Sequence, residues 1–161
     1  METIKIEGNM MPKEFIQKVL IDEIGQITKA NPYLSFTLIA IGIEFLGKCL
    51  LTNCKNWHDI NPSKAFNKGV ELLIQEDSRY EKLNLKSSLR DGFAHTLLPK
   101  FGISLSEEKH GEEHFSINSR GKTILVVEVF YHDFVRCCKT VLERKFAADD
   151  KMNMQFLNLG K

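Results

Sequence analysis

The stretch LSFTLIAIGIEFLGKCLL, residues 34–51, decides the fold. It is apolar nearly all round, and such a helix lies either at the centre of a packed core or across a bilayer. Glu44 and Lys48 argue for the core. Charged side chains are costly in hydrocarbon, whereas a pair four residues apart can meet on one face of a protein helix. The expectation is therefore a buried helix over residues 34–53, with no membrane span, around which the neighbouring segments pack.

Before it, Pro12 suits a first helical turn, and Phe15, Ile16, Val19, Leu20, Ile24 and Ile27 recur at helical spacing. This predicts an amphipathic helix over residues 12–30, ended by Asn31-Pro32. After it, residues 53–61 form a polar loop holding the only tryptophan, Trp57. Asn61-Pro62 reads as a cap followed by a first-turn proline. The helix it opens carries Ala65, Phe66, Val70, Leu73 and Ile74 as one stripe. Residues 76–79 read as a charged turn, and residues 80–97 as a fourth helix stopped by Pro99.

The period then shortens. Ile103 and Leu105 alternate with small or polar residues, as do Phe115 and Ile117, and residues 123–130 are a β-branched run. With turns at His110-Gly111 and Arg120-Gly121, this predicts a small antiparallel β-meander over residues 101–130. Helical spacing resumes through Phe134, Val135, Cys138, Val141, Leu142 and Phe146, giving a last helix over residues 131–148. The expected architecture is one mainly α domain over residues 1–161. It is an up-and-down bundle of about five helices with the meander before the last one, and with tails at 1–9 and 149–161.

A chain of 161 residues can bury a core without disulfide staples. A net charge of +1 gives no global attraction for nucleic acid or membrane, so such binding would need a local patch. Cys49, Cys54, Cys137 and Cys138 form no C-x-x-C pair and match no zinc spacing. They read as reduced thiols, which points to a cytoplasmic protein. Residues 1–9 are polar and charged, and no signal peptide is expected.

One stretch invites chemistry: Arg90-Asp91-Gly92-Phe93-Ala94-His95. On a regular wheel Leu83, Arg90 and Leu97 fall within about 40°, which places Arg90 in the apolar stripe, where a guanidinium needs an anion. Asp91 and His95, four apart, share the neighbouring face. Gly92 lowers helix propensity mid-segment, as a glycine does where another backbone or a ligand comes close. Lys86, Arg90 and Lys100 could form a small basic patch beside His95.

The arginine, a polar residue, three more residues and a histidine near a helix end resemble the R-x4-6-H motif of HEPN domains. The surrounding SLRDGFAHTLLP and the upstream GIEFLGK strengthen the likeness. It covers residues 13–99 and the last helix, and leaves the strand segment as an insertion. The resemblance implies a homodimer that brings two motifs together. Active members are metal-independent endoribonucleases, of the toxin or phage-defence type, with no cofactor. In that reading His95 is the general acid or base, Arg90 holds the scissile phosphate, Asp91 fills the polar position, and Lys86 and Lys100 help to bind substrate. RNA would be the ligand, and a nucleotidyltransferase-type antitoxin a partner.

A second reading is a non-catalytic HEPN-like module for dimerisation, or for binding a nucleotide or a protein. There Arg90 pairs with Glu44 to set helix register, and His95 caps a helix end. On a regular wheel Arg90 and His95 are about 140° apart, so one chain alone would place them poorly on a shared phosphate. His110 and His114 lie in a Gly-containing turn between strands, whereas metal pairs of this spacing usually sit on a helix, and Cys54 with His58, and His132 with Cys137 and Cys138, lack a fourth ligand in sequence reach.

Overall fold

The first helix, α1, runs without a break through residues 12–30, though its winding is not uniform. Pro12–Phe15 and Ile24–Ala30 are α-helical, and Ile16–Glu23 between them is wound as a π-helix. Its buried positions are Pro12, Ile16, Leu20, Ile24 and Thr28, four apart each time. On a regular α-helix each such step drifts by about 40°. The slower π winding, with its longer hydrogen-bonded ring, offsets part of that drift. This computed structural model describes residues 12–51, 59–96, 98–100 and 102–144, without the side chains of Ala94 and His95. The two tails, Phe146 and the loop residues Cys54, Trp57 and His58 lie outside the described residues.

Asn31 alone separates α1 from α2, Pro32–Leu50. Phe36, Ile39, Ile43 and Leu46 of α2 are buried at the centre of the core. Among the described residues α2 is long and apolar enough to cross a membrane, yet half of that window is buried inside the fold. Asn61 caps α3, Pro62–Glu76, as expected: its side-chain oxygen accepts the Lys64 N–H at 3.1 Å. Helices α2 and α3 cross closely at two glycines. A Cβ on Gly47 would lie 1.7 Å from the Ala65 carbonyl oxygen, and one on Gly69 would lie 2.0 Å from that of Ile43.

The fourth helix departs from expectation. Ser78–Lys82 is a separate 3₁₀ turn whose start is capped by Asp77. Asn84 then accepts the Ser87 N–H at 3.2 Å and opens a new helix, α4, over residues 86–96. Its first part, Lys86–Arg90, is π-wound, and Asp91–Thr96 is α-helical. Asparagine and aspartate side chains bond the backbone two or three residues on, and so divide what reads as one helix.

The antiparallel meander is corrected to a parallel pair. Strand β1, Ile103–Ser106, pairs in parallel with β2, Thr123–Val126, in the register Ile103↔Thr123 to Ser106↔Val126. In a meander the first and third strands point the same way, and here these two meet directly. The middle segment is displaced to the far edge of β2. There it makes one antiparallel bridge, Ile117↔Thr123, and backbone bonds between Phe115, Ser116 and Ile124. Phe115 has φ 67, so that segment is bent away from strand geometry. The connection, residues 107–122, is long enough for a parallel pairing.

The last helix, α5, spans Val127–Glu143 and starts earlier than expected. Val127, Phe130, Phe134, Cys137, Cys138 and Val141 of α5 are buried at helical spacing, and that burial overrides the strand preference of 127–130. Helix α5 packs on α1, α2 and α3, with Phe130 stacked on Phe36.

Candidate functional site

The motif lies in α4, held against the core by Leu85, Leu89 and Phe93. With Ser88 and Gly92, also buried, they form a stripe at spacings of three and four. The stripe is not the one expected through Leu83 and Leu97, because the helix starts after Asn84, and Arg90 does not sit in its middle. Its side chain is 29 % exposed at the margin. Gly92 has the role its position suggested. The chain returns over it after the helix, and a Cβ there would lie 2.6 Å from the Leu98 carbonyl oxygen. The same return lets the Lys100 N–H donate to the Ser88 carbonyl at 2.9 Å.

Arg90 is held by two carboxylates from two helices. Its Nε donates to Glu44 Oε2 of α2 at 3.2 Å, and its Nη1 donates to Asp91 Oδ1 at 2.8 Å. Glu44 also faces Lys48 Nζ at 3.8 Å, and Asp91 faces Lys86 Nζ at 3.9 Å. The result is a line of alternating charge: Lys48, Glu44, Arg90, Asp91, Lys86. The hydrogen bond to Asp91, and then that to Glu44, raise the Arg90 pKa further above its ordinary range, against partial burial. A phosphate reaching the Nε edge of this guanidinium would have to displace Glu44.

Of the residues singled out from the sequence, Arg90, Asp91 and Lys86 are thus brought together. Lys100 is placed by its backbone beside α4. His95 belongs to the last turn of α4, and its side chain is outside the described residues.

Sequence reasoning missed a second polar cluster, and this one is buried. The Tyr80 hydroxyl donates to Asp133 Oδ2 at 2.6 Å and lies 3.2 Å from His114 Nε2. His114 Nδ1 accepts the Val126 N–H at 2.9 Å. An imidazole that accepts at Nδ1 carries its proton on Nε2, so His114 donates to the Tyr80 oxygen. Asp133 Oδ1 is bonded by Arg136, which also donates to Glu76 Oε2 at 2.7 Å. Burial pushes the Tyr80 hydroxyl up, and its bond to Asp133 adds to this. Burial also raises Asp133, against its bonds to Tyr80 and Arg136. Burial lowers His114 to about 4, with the Arg79 charge adding to it. One signal was available: Asp133 falls three residues after Phe130, inside the apolar stripe of the last helix, where a carboxylate needs a partner.

The described cysteines Cys49, Cys137 and Cys138 are free and buried. Burial pushes the Cys49 thiol up to about 12 and raises the other two as well, so none supplies a thiolate near neutral pH. Among the described residues no group of three His, Cys, Asp or Glu is placed to hold a metal. His110 and His114 do not act as a pair, because His114 is turned into the Tyr80 cluster.

No family model matches the chain, and no curated protein or solved structure matches it either.

Proposed function

We propose that this chain is a non-catalytic, HEPN-like helical module that works by association, as a homodimer or with a protein partner. The observation that carries this reading is the engagement of Arg90 by Glu44 and Asp91. A guanidinium serving a scissile phosphate offers its fork to solvent. Here Nε joins α4 to Glu44 of α2, the role of a structural pair that sets register, while Nη1 is bonded to the neighbouring Asp91.

An apolar strip supports association through a second copy. Leu34, Leu38, Ile41 and Phe45 follow one another at spacings of four, three and four along α2, the seam of a helix-to-helix contact. Leu34 is 50 % exposed and Ile41 62 %. Beside them runs a groove of about 260 Å³ between α1 and α2, lined by Phe15, Val19, Ile27 and Phe45. Knob and groove share one face, as a two-fold contact requires. Tyr33, next to the strip, packs edge-on against Phe93 of α4 at 5.8 Å, so the strip begins beside the motif helix.

The alternative reading, a metal-independent ribonuclease using Arg90, Asp91 and His95, draws support from the surplus of cations at the motif, where Lys48, Lys86 and Arg90 face two carboxylates. One experiment separates the two. Wild type, Arg90→Ala and His95→Ala are incubated with a mixed single-stranded RNA pool at pH 7 in EDTA. The module reading expects the RNA to stay intact in all three. Cleavage by the wild type that both substitutions abolish, with helical circular dichroism retained, overturns the module in favour of the nuclease.

A further inference from the structure

Residues 107–122 leave the end of β1 and return to the start of β2, and two side chains fasten them to the helices. At their start the Glu108 N–H donates to the Glu128 carboxylate of α5 at 3.0 Å. In their middle stands His114, 8 % exposed, with both ring nitrogens engaged. Nδ1 holds the N–H of Val126, the residue where β2 passes into α5. Nε2 meets Tyr80, which is itself bonded to Asp133 of α5. Phe115 follows, with its ring edge-on to Tyr80 at 4.8 Å and the Arg79 guanidinium 4.4 Å above it.

We infer that His114 is an acid-released latch that fastens residues 107–122 to the helical core. Protonation at Nδ1 removes the acceptor that the buried Val126 N–H uses and turns that nitrogen into a second donor. It also places a cation near Arg79, with Asp77 and Asp133 already bonded to arginines. From the 3₁₀ turn and the residue before it, His114 is faced by Asp77, Arg79 and Tyr80, and Asp77 is bonded to Arg79 at 2.7 Å. From α5 come Asp133 and Arg136, bonded to each other. Glu76 of α3 is taken by Arg136. Glu113 precedes His114 on its own segment.

The sign follows from the two states. In the closed state burial and the Arg79 charge hold His114 down to about 4, against Asp77 pulling the other way. Once released, an imidazole returns toward about 6.5. The open state therefore binds the proton more tightly. The contribution of His114 to closure is complete above about pH 6.5 and is lost as pH falls toward 4. Asp133 acts in the opposite sense, because its raised pKa lets the closed state take up a proton more readily. Asp77, held to about 2 by its hydrogen bond with Arg79, loosens the fold only below the ordinary carboxylate range. The window of His114 thus lies above that of Asp77.

Amide hydrogen exchange, corrected for intrinsic rates, tests this between pH 7 and 4 on wild type and His114→Asn. Asparagine offers an acceptor near the place of Nδ1 and does not titrate. In the wild type the Phe115, Ile124 and Val126 amides are expected to lose protection at least tenfold across the window, while α2 and α3 stay protected. His114→Asn is expected to show no such step. Flat protection in the wild type, or the same step in His114→Asn, overturns the inference. Should the variant fail to fold, the wild-type imidazole titration followed by NMR decides. Loosening with a His114 midpoint below 6 sustains the latch, and a midpoint near 6.5 with the segment still protected removes it.

Discussion

At the scale of single residues, Arg90 shows how one side chain chooses between chemistry and structure. It arrives in the motif, yet its donors are bonded to a carboxylate of another helix and to its own neighbour. Hydrogen bonds to charged groups contribute about 1.5–3 kcal/mol each when partly buried. The Glu44 and Arg90 side chains are 20 % and 29 % exposed, which puts this pair toward the lower end. A double-mutant cycle with Glu44→Gln and Arg90→Gln, read by urea unfolding, is expected to give a coupling of about 1–2 kcal/mol. A coupling near zero would deny Arg90 its structural role. Asp133 shows the converse case. The sequence places an acid in an apolar stripe, but its partner Tyr80 is 53 residues away, and only folding brings the two together.

At the scale of elements, period four explains what the regular wheel did not. Pro12, Ile16, Leu20, Ile24 and Thr28 of α1 are buried four apart, and the π stretch Ile16–Glu23 offsets part of the drift of a regular wheel. Such spacing was readable in the residues and marks a place where about 100° per residue is not the local winding. The α2–α3 crossing was not readable, since Gly47 and Gly69 look like ordinary interruptions of good helices. Substituting Gly47→Ala sets a methyl against the Ala65 carbonyl. It is expected to destabilise the protein by about 3 kcal/mol or more in urea unfolding, far beyond the propensity gain of alanine. A neutral or stabilising result would mean that the helices are not in such close contact. The strand pair carries the same lesson in another form. Alternation marked Ile103, Leu105 and the run after Thr123, but it is silent on which strands become neighbours.

At the scale of the whole molecule, the apolar strip on α2 is exposed at Leu34 and Ile41 among the described residues. Ile41→Lys alters a side chain that is 62 % exposed and should leave the thermal unfolding of the monomer almost unchanged. Sedimentation velocity at micromolar concentration is expected to show a dimer for the wild type and a monomer for the variant. A monomeric wild type would remove the proposed two-fold contact. The sequence by itself determined the helical frame: the central apolar helix, the amphipathic first helix, the Asn61 cap and the helical period of the last segment. These rest on local periodicity and capping, which are properties of neighbouring residues. Only the tertiary structure decided that the strands run parallel, that the motif helix starts late and winds as π, and that His114 joins Tyr80 and Asp133. It also chose the pairing of Arg90 with Glu44, one of two readings the sequence left open. Each of these depends on contacts between segments distant in the chain, where burial and charge pairing outweigh local preference.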